Sequence, residues 1–162
     1  MRLGIPSWVL VVLVGGCSTY GPSQQMIGQD RNALVARLGP PTAELAQGQE
    51  TRLEYARGPY GRHTYFITLD HEGRVKRWEQ VLHPAQFQKI VPGMTKAEVL
   101  NIIGQSFEVS LLGRNRGEVW SYRYETPLCV WFQIEFSQEG VIRSAGDGIP
   151  PECLGRRWSA GL

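Results

Sequence analysis

GMTKAEVLNIIG, residues 93–104, reads as a short helix with both ends marked. Thr95 precedes Glu98 by three residues. At that spacing a hydroxyl accepts from the N3 backbone N–H while the carboxylate reaches back to the cap residue's own N–H. Val99, Ile102 and Ile103 then form one apolar stripe, and Gly104 supplies a left-handed stop. The stretch GQDRNALVARLG, residues 28–39, lies over it with both outer glycines coinciding. Arg31 falls on Lys96, Leu34 on Val99 and Leu38 on Ile103. In this first copy Asp30 is the cap, Ala33 stands where the capping glutamate would be, and Gly39 ends the helix ahead of Pro40-Pro41.

The repeat continues downstream. YFITLDHEGRV (65–75) lies over FQIEFSQEGVI (132–142), so that Ile67 meets Ile134, Leu69 meets Phe136, Gly73 meets Gly140 and, upstream, Tyr55 meets Tyr122. A two-residue insertion in the intervening loop accounts for the changed offset. Leu53/Tyr55 and Tyr65/Ile67/Leu69 alternate with period two, as do Trp120/Tyr122/Tyr124 and Phe132/Ile134/Phe136. That is the mark of half-buried strands. Asp70 to Gly73 and Ser137 to Gly140 are tight links with glycine where a hairpin needs positive φ. A further helical turn or two fits Pro84 to Ile90.

The pattern predicts an α+β fold of two tandem units, residues 26–82 and 83–148. Each is a helix plus a three-stranded antiparallel meander, the helix covering one face, and the pair forms a two-layer α/β sandwich. Two such copies make one cooperative domain, because neither buries its apolar face alone. Strand parity turns Phe132, Ile134 and Phe136 toward the helices and puts Cys129, Trp131, Gln133 and Glu135 on the opposite face. A bridge from Cys129 to Cys153 would draw the C-terminal tail, residues 149–162, across the helix-free side.

With 162 residues, 42% of them hydrophobic, and a formal charge of +2, the chain is one modest globular unit. No single-sign field is available to hold nucleic acid. MRLGIPSWVLVVLVGGC (1–17) places Arg2 before an apolar run and two glycines, the three-part layout of a secretory signal. The run is too short to span a bilayer as a mature helix. Val14-Gly15-Gly16-Cys17 resembles the bacterial lipobox, although leucine is commoner than Val14 in its place. The resemblance implies that residues 1–16 are a signal peptide removed at Cys17. The thiol would then carry a diacylglyceryl group and the new amine an acyl chain, a hold that one chain alone cannot supply. An ordinary signal with an incidental cysteine is the alternative. Ser18, where an aspartate would suggest inner-membrane retention, points by the same resemblance to the periplasmic face of the outer membrane.

Residues 17–25, small, polar and Pro/Gly-bearing, read as a tether. Cleavage removes Arg2 from the 17 basic residues and leaves the processed chain close to neutral against its 15 acids. Cys129 and Cys153, an even pair in an oxidising compartment, read as a disulfide, with two unpaired thiols as the alternative.

Catalytic patterns are missing. His63, His71 and His83 have neither HxxxH nor HExxH spacing, the phosphate and nucleophile motifs do not occur, CxxC is absent, and the carboxylates are scattered. The sequence therefore argues against an enzyme and predicts no metal and no cofactor beyond the lipid on Cys17. In TRLEYARGPYGRHTYF (51–66), Arg57, Tyr60, Arg62 and His63 form a candidate interaction surface. Guanidinium beside tyrosine suits a carboxylate, a phosphate headgroup or a partner's backbone. A plain soluble turn is the alternative. Arg74 to Trp78 reads as a solvated strand face with a cation–π contact.

VPGMTKAEVLNIIGQ (91–105) followed by EVWSYRY (118–124) resembles the BamE family, also called SmpA/OmlA, of small outer-membrane lipoproteins. Gly93, Met94, Thr95, Val99, Gly104, Trp120 and Tyr122 match its pattern, while Gln105-Ser106 departs from its usual Pro-containing turn. The resemblance covers most of residues 84–144, and residues 28–82 more faintly. It implies a non-enzymatic accessory subunit of the machinery that folds β-barrels into the outer membrane, with barrel-assembly or other envelope proteins and the membrane as partners. Ordinary members carry one such unit. The duplication is similar to that of β-lactamase inhibitor protein, which implies the alternative of a periplasmic inhibitor or sensor.

Overall fold

The computed structural model describes residues 20–113 and 116–154. The stretch read as a signal peptide, Cys17 and the last eight residues of the tail lie outside that range. After a 3-10 turn at Gln24–Met26 come α1 (Arg31–Leu38), β1 (Ala43–Gln47), β2 (Glu50–Arg57), β3 (His63–Leu69) and β4 (Val75–Gln80). The chain goes on through α2 (Pro84–Phe87), α3 (Lys96–Ile103), β5 (Glu108–Leu111), β6 (Glu118–Tyr122), β7 (Trp131–Phe136), β8 (Ile142–Gly148) and α4 (Pro151–Leu154). The fold is mixed α+β, with two four-stranded antiparallel sheets ordered β1-β2-β3-β4 and β5-β6-β7-β8. Among the described residues no helix is long and apolar enough to cross a membrane.

Four strands per sheet, where the sequence predicts three, is a correction with a physical cause. The added strands, β1 and β5, are edge strands. AELAQ is exposed along its whole length and EVSL along most of it, so neither needs an alternating apolar face.

Both helix starts form as their caps dictate. Asp30 Oδ1 accepts from Ala33 N at 3.0 Å, and that bond holds the Asp30 carboxyl below its usual range. Thr95 Oγ1 accepts from Glu98 N at 3.3 Å, while Glu98 Oε2 accepts from Thr95 N at 2.7 Å. The stopping glycines adopt φ 78°, ψ −173° at Gly39 and φ 76°, ψ −165° at Gly104. This is a mirror-extended conformation open essentially to glycine alone, not the left-handed helical one.

Hydrogen bonds recur between the halves as well as residue types. Gly28 N donates to Val75 O at 2.8 Å and Gly93 N to Ile142 O at 3.0 Å; Arg31 N donates to Gly73 O at 3.1 Å and Lys96 N to Gly140 O at 3.2 Å. Tyr55 and Tyr122 each donate a phenol to the stopping glycine of their own half, Gly39 O at 3.2 Å and Gly104 O at 3.0 Å. Register shifts fall at Thr68/Leu69 and Glu135/Phe136, matching positions of β3 and β7.

One core packs Leu34 and Leu38 of α1 on Leu53, Tyr55, Ile67 and Leu69, with Met26 closing it. The other packs Val99 and Ile103 of α3 and Phe87 of α2 on Trp120, Tyr122, Ile134 and Phe136, and includes Phe66 from the first sheet. β2 is buried on both faces: Leu53 and Tyr55 face α1, while Arg52 and Glu54 face the C-terminal end of α3. The first sheet thus has a helix on each side, where the sequence predicts one.

Cys129 and Cys153 are bonded, with Cα atoms 6.2 Å apart and a separation of 24 residues. Phe132, Ile134 and Phe136 face α3 as parity requires. Among the described residues of the tail, Glu152 pairs with Arg123 at one end of the far side of the second sheet, and a shallow cavity there is lined by Val119, Gln133, Glu135 and Ser144. At the other terminus, within the stretch read as a tether, the Tyr20 hydroxyl meets His63 Nδ1 while Tyr20, Gln24 and Gln25 stay exposed; Met26, just beyond it, is buried.

Gly39→Ala, with open space around the new Cβ, is expected to lose about 1–3 kcal/mol through backbone strain alone. Gly104→Ala should lose more, because its Cβ would meet Glu54 Oε1 at 2.7 Å. Urea denaturation of the two variants side by side checks the order. Replacing both Cys129 and Cys153 by serine should lower stability by about 3–4 kcal/mol, the chain-entropy value for a loop of this length. Urea midpoints without reductant measure it.

Candidate interaction surface

Of the four residues singled out in the sequence, three gather at one end and Arg57 turns elsewhere. Arg57 turns to its own helix: Nη2 donates to Leu38 O at the C-terminal end of α1, and the guanidinium lies 5.0 Å from the Tyr55 ring. A cation there satisfies an orphan carbonyl and the negative end of the helix dipole. Tyr60, Arg62 and His63, on the link between β2 and β3, instead meet residues of the second half. Arg62 Nε and His63 Nε2 lie 3.4 and 3.2 Å from Glu125 Oε2. His63 Nδ1 is 2.5 Å from the Tyr20 hydroxyl. The Tyr60 ring lies 5.2 Å from the Arg123 guanidinium.

Arg123 anchors that junction. It grips Glu108 at 2.6 Å through Nε and 3.1 Å through Nη2, pairs with Glu152 of α4, and stacks 4.8 Å from Trp131. The carboxylates, Glu108 first and then Glu152, hold its proton more tightly than usual. Among the described residues, the basic groups here are paired with Glu108, Glu125 and Glu152.

A second surface lies between the sheets, and sequence reasoning did not find it. A cavity of about 440 Å³ is lined by Ala43, Leu45, Leu100, Val109 and Trp120, with Arg52 and Glu54 as its polar floor and Glu44, Gln105 and Ser106 completing the wall. Register explains the arrangement. Ala43 and Leu45 pair with Glu54 and Arg52, so they share that face of the first sheet, and Val109 pairs with Trp120 in the second. The edge strands β1 and β5 flank the trough with exposed Leu45, Val109 and Leu111, the last 82% exposed.

The floor is buried and bonded. Arg52, 8% exposed, donates through Nη1 to Asn101 O at 2.9 Å and through Nη2 to Leu100 O at 3.3 Å, and its guanidinium lies 4.1 Å over the Phe66 ring. Glu54, 6% exposed, accepts from Gln105 N at 3.0 Å. Burial pushes the Glu54 carboxyl above its usual range, against the pull of the Gln105 N–H and of Arg52. The one signal available beforehand was the charged pair alternating with Leu53 and Tyr55, which reads equally as a solvent-facing side. Among the described residues no group of three or more His, Cys, Asp or Glu is placed to hold a metal ion.

No family model matches the chain, and no curated protein matches it. Among solved structures, it is similar to an extracellular protein containing a SCP domain from Bacillus anthracis str. Ames, at 15% identity and a TM-score of 0.32. The match covers 96% of this chain and 53% of that one, so the chain spans about half the length of that neighbour.

Because the folded state raises the Glu54 pKa, the stability tied to its protonated form is complete below the unfolded value and is lost as pH rises through the folded one. Glu54→Gln keeps an oxygen for Gln105 N and should remove this decline, flattening stability against pH in the window above the ordinary glutamate value. Urea midpoints taken across that window for both proteins check it.

Proposed function

We propose that the chain is a lipoprotein anchored through Cys17 at the periplasmic face of the outer membrane, where it serves as a non-enzymatic protein-interaction module in outer-membrane protein assembly or envelope integrity. The lipobox resemblance supports the anchor, and the Gly-Met-Thr helix with its Trp/Tyr strand supports kinship with the BamE family. On this reading the finer architecture is two tandem BamE-like units, each extended by an edge strand. The recurring bonds at Gly28 and Gly93, and at Tyr55 and Tyr122, support it.

The observation that carries the interaction role is the apolar trough between β1 and β5. Exposed sheet edges invite pairing with another chain, and soluble proteins usually blunt them. Here two edges border one trough and present Leu45 and Val109 to it, with Leu111 exposed further along β5. An extended segment of a partner fits such a site, gaining main-chain bonds from an edge and apolar burial from the trough.

A second reading, a periplasmic inhibitor or sensor that grips a soluble enzyme, draws on the position of the trough between the two halves, a place that exists only in a duplicated chain. Photo-crosslinking in intact cells from Leu45 and Leu111 positions separates the two. Barrel-assembly proteins captured by the acylated chain and lost with Cys17→Ser support the first. Capture of a soluble protein, unchanged by Cys17→Ser, overturns it in favour of the second. Leu45→Asp with Val109→Asp should reduce capture at least tenfold, equivalent to about 1.4 kcal/mol of binding.

A further inference from the structure

From the seating of Tyr20, we propose that one end of the body, carrying Tyr20, Tyr60 and Leu128, lies in the headgroup layer of the membrane that holds the acyl chains of Cys17. This rests on the anchoring proposed above and adds an orientation to it.

Three observations carry it. The chain leaves the structure from a fitted socket. The Tyr20 ring stands edge-on to His63 at 5.5 Å, its hydroxyl occupies the space where a Cβ on Gly58 would come within 2.9 Å, and Gly21 lies against the Tyr65 ring with no room for a side chain. Cys17 is three residues before Tyr20, and three extended residues span at most about 11 Å. Chains inserted at Cys17 therefore bring the bilayer surface within reach of the Tyr20 end.

That end is built for an interface of water and lipid. Tyr60 is 60% exposed and Leu128 67% exposed, on the walls of one shallow cavity with Pro59 and Arg62. Tyr60 also has φ 58°, the one positive value among the described non-glycine residues. A bulky residue at that angle is strained, and strain of this kind gathers at functional sites. Here it holds an amphipathic ring outward, and such rings favour the headgroup level.

Charge tells which lipids matter. Arg62 and Arg123 are paired with Glu125, Glu108 and Glu152, so among the described residues the end has no surplus of positive charge to select anionic headgroups. The contact is apolar and aromatic in character, and phosphatidylethanolamine suffices for it.

The test uses the full acylated chain in phosphatidylethanolamine vesicles, with and without phosphatidylglycerol. An environment-sensitive fluorophore is placed singly through Tyr60→Cys, Leu128→Cys or His71→Cys; His71 lies in the turn at the opposite end of the first sheet. Labels at 60 and 128 should be blue-shifted and quenched by a headgroup nitroxide several-fold more than the label at 71, equally in both lipid mixtures. Tyr20→Ala, which frees the chain from its socket, should leave flotation with vesicles intact and erase that difference. A chain that floats while labels at 60 and 128 report water overturns the orientation alone. A chain that does not float, and lacks acyl mass on Cys17, overturns the anchor and the orientation together. Quenching that requires phosphatidylglycerol overturns the charge-balanced contact.

Discussion

The guanidinium of Arg52, taken out of water between two halves of one chain, is the contact on which the architecture turns. It donates to carbonyls of the last turn of α3, Asn101 O and Leu100 O, and meets the negative end of the helix dipole. Bonds to a charged group contribute about 1.5–3 kcal/mol each. Glu54, two residues on, takes the first N–H beyond Gly104. The same face of β2 thus grips the end of α3 by its acceptors and by the turn that follows. A buried charge is costly unless bonded in this way, so the two sheets are fixed relative to α3 by groups that have nowhere else to be satisfied.

What was legible in the sequence was whatever local chemistry decides. Thr95 with Glu98, Asp30, and the glycines at 39 and 104 fix helix ends through bonds within a few residues, and those bonds form. Strands with one buried face show themselves by alternation, as Phe132, Ile134 and Phe136 do. The edge strands β1 and β5 were invisible because burial does not shape them; only pairing to a neighbour does. The double burial of β2 was invisible for another reason. Arg52 and Glu54 have the side chains of a solvated face, and nothing within β2 says that a helix some fifty residues away will cover them.

The candidate site follows the same division. Tyr60, Arg62 and His63 could be picked out by composition and do gather at one end, but their partners Glu125, Arg123 and Tyr20 come from distant stretches, which local reading does not reach. Arg57 shares their composition yet serves α1. The trough between β1 and β5 has no linear signature at all, since its walls come from strands that meet only once α3 is seated.

The unequal lot of the two helices has an evolutionary side. The outer face of α1 meets water, whereas α3 answers to a sheet on either flank. If the two halves arose by doubling, as the proposed tandem reading holds, the first helix is at liberty to drift wherever its inward leucines are kept. The second is not, and ancestry should stay readable longest in its letters. On the tandem reading proposed above, GMTKAEVLNIIG, rather than its counterpart upstream, is the stretch in which likeness to single-copy proteins should last longest.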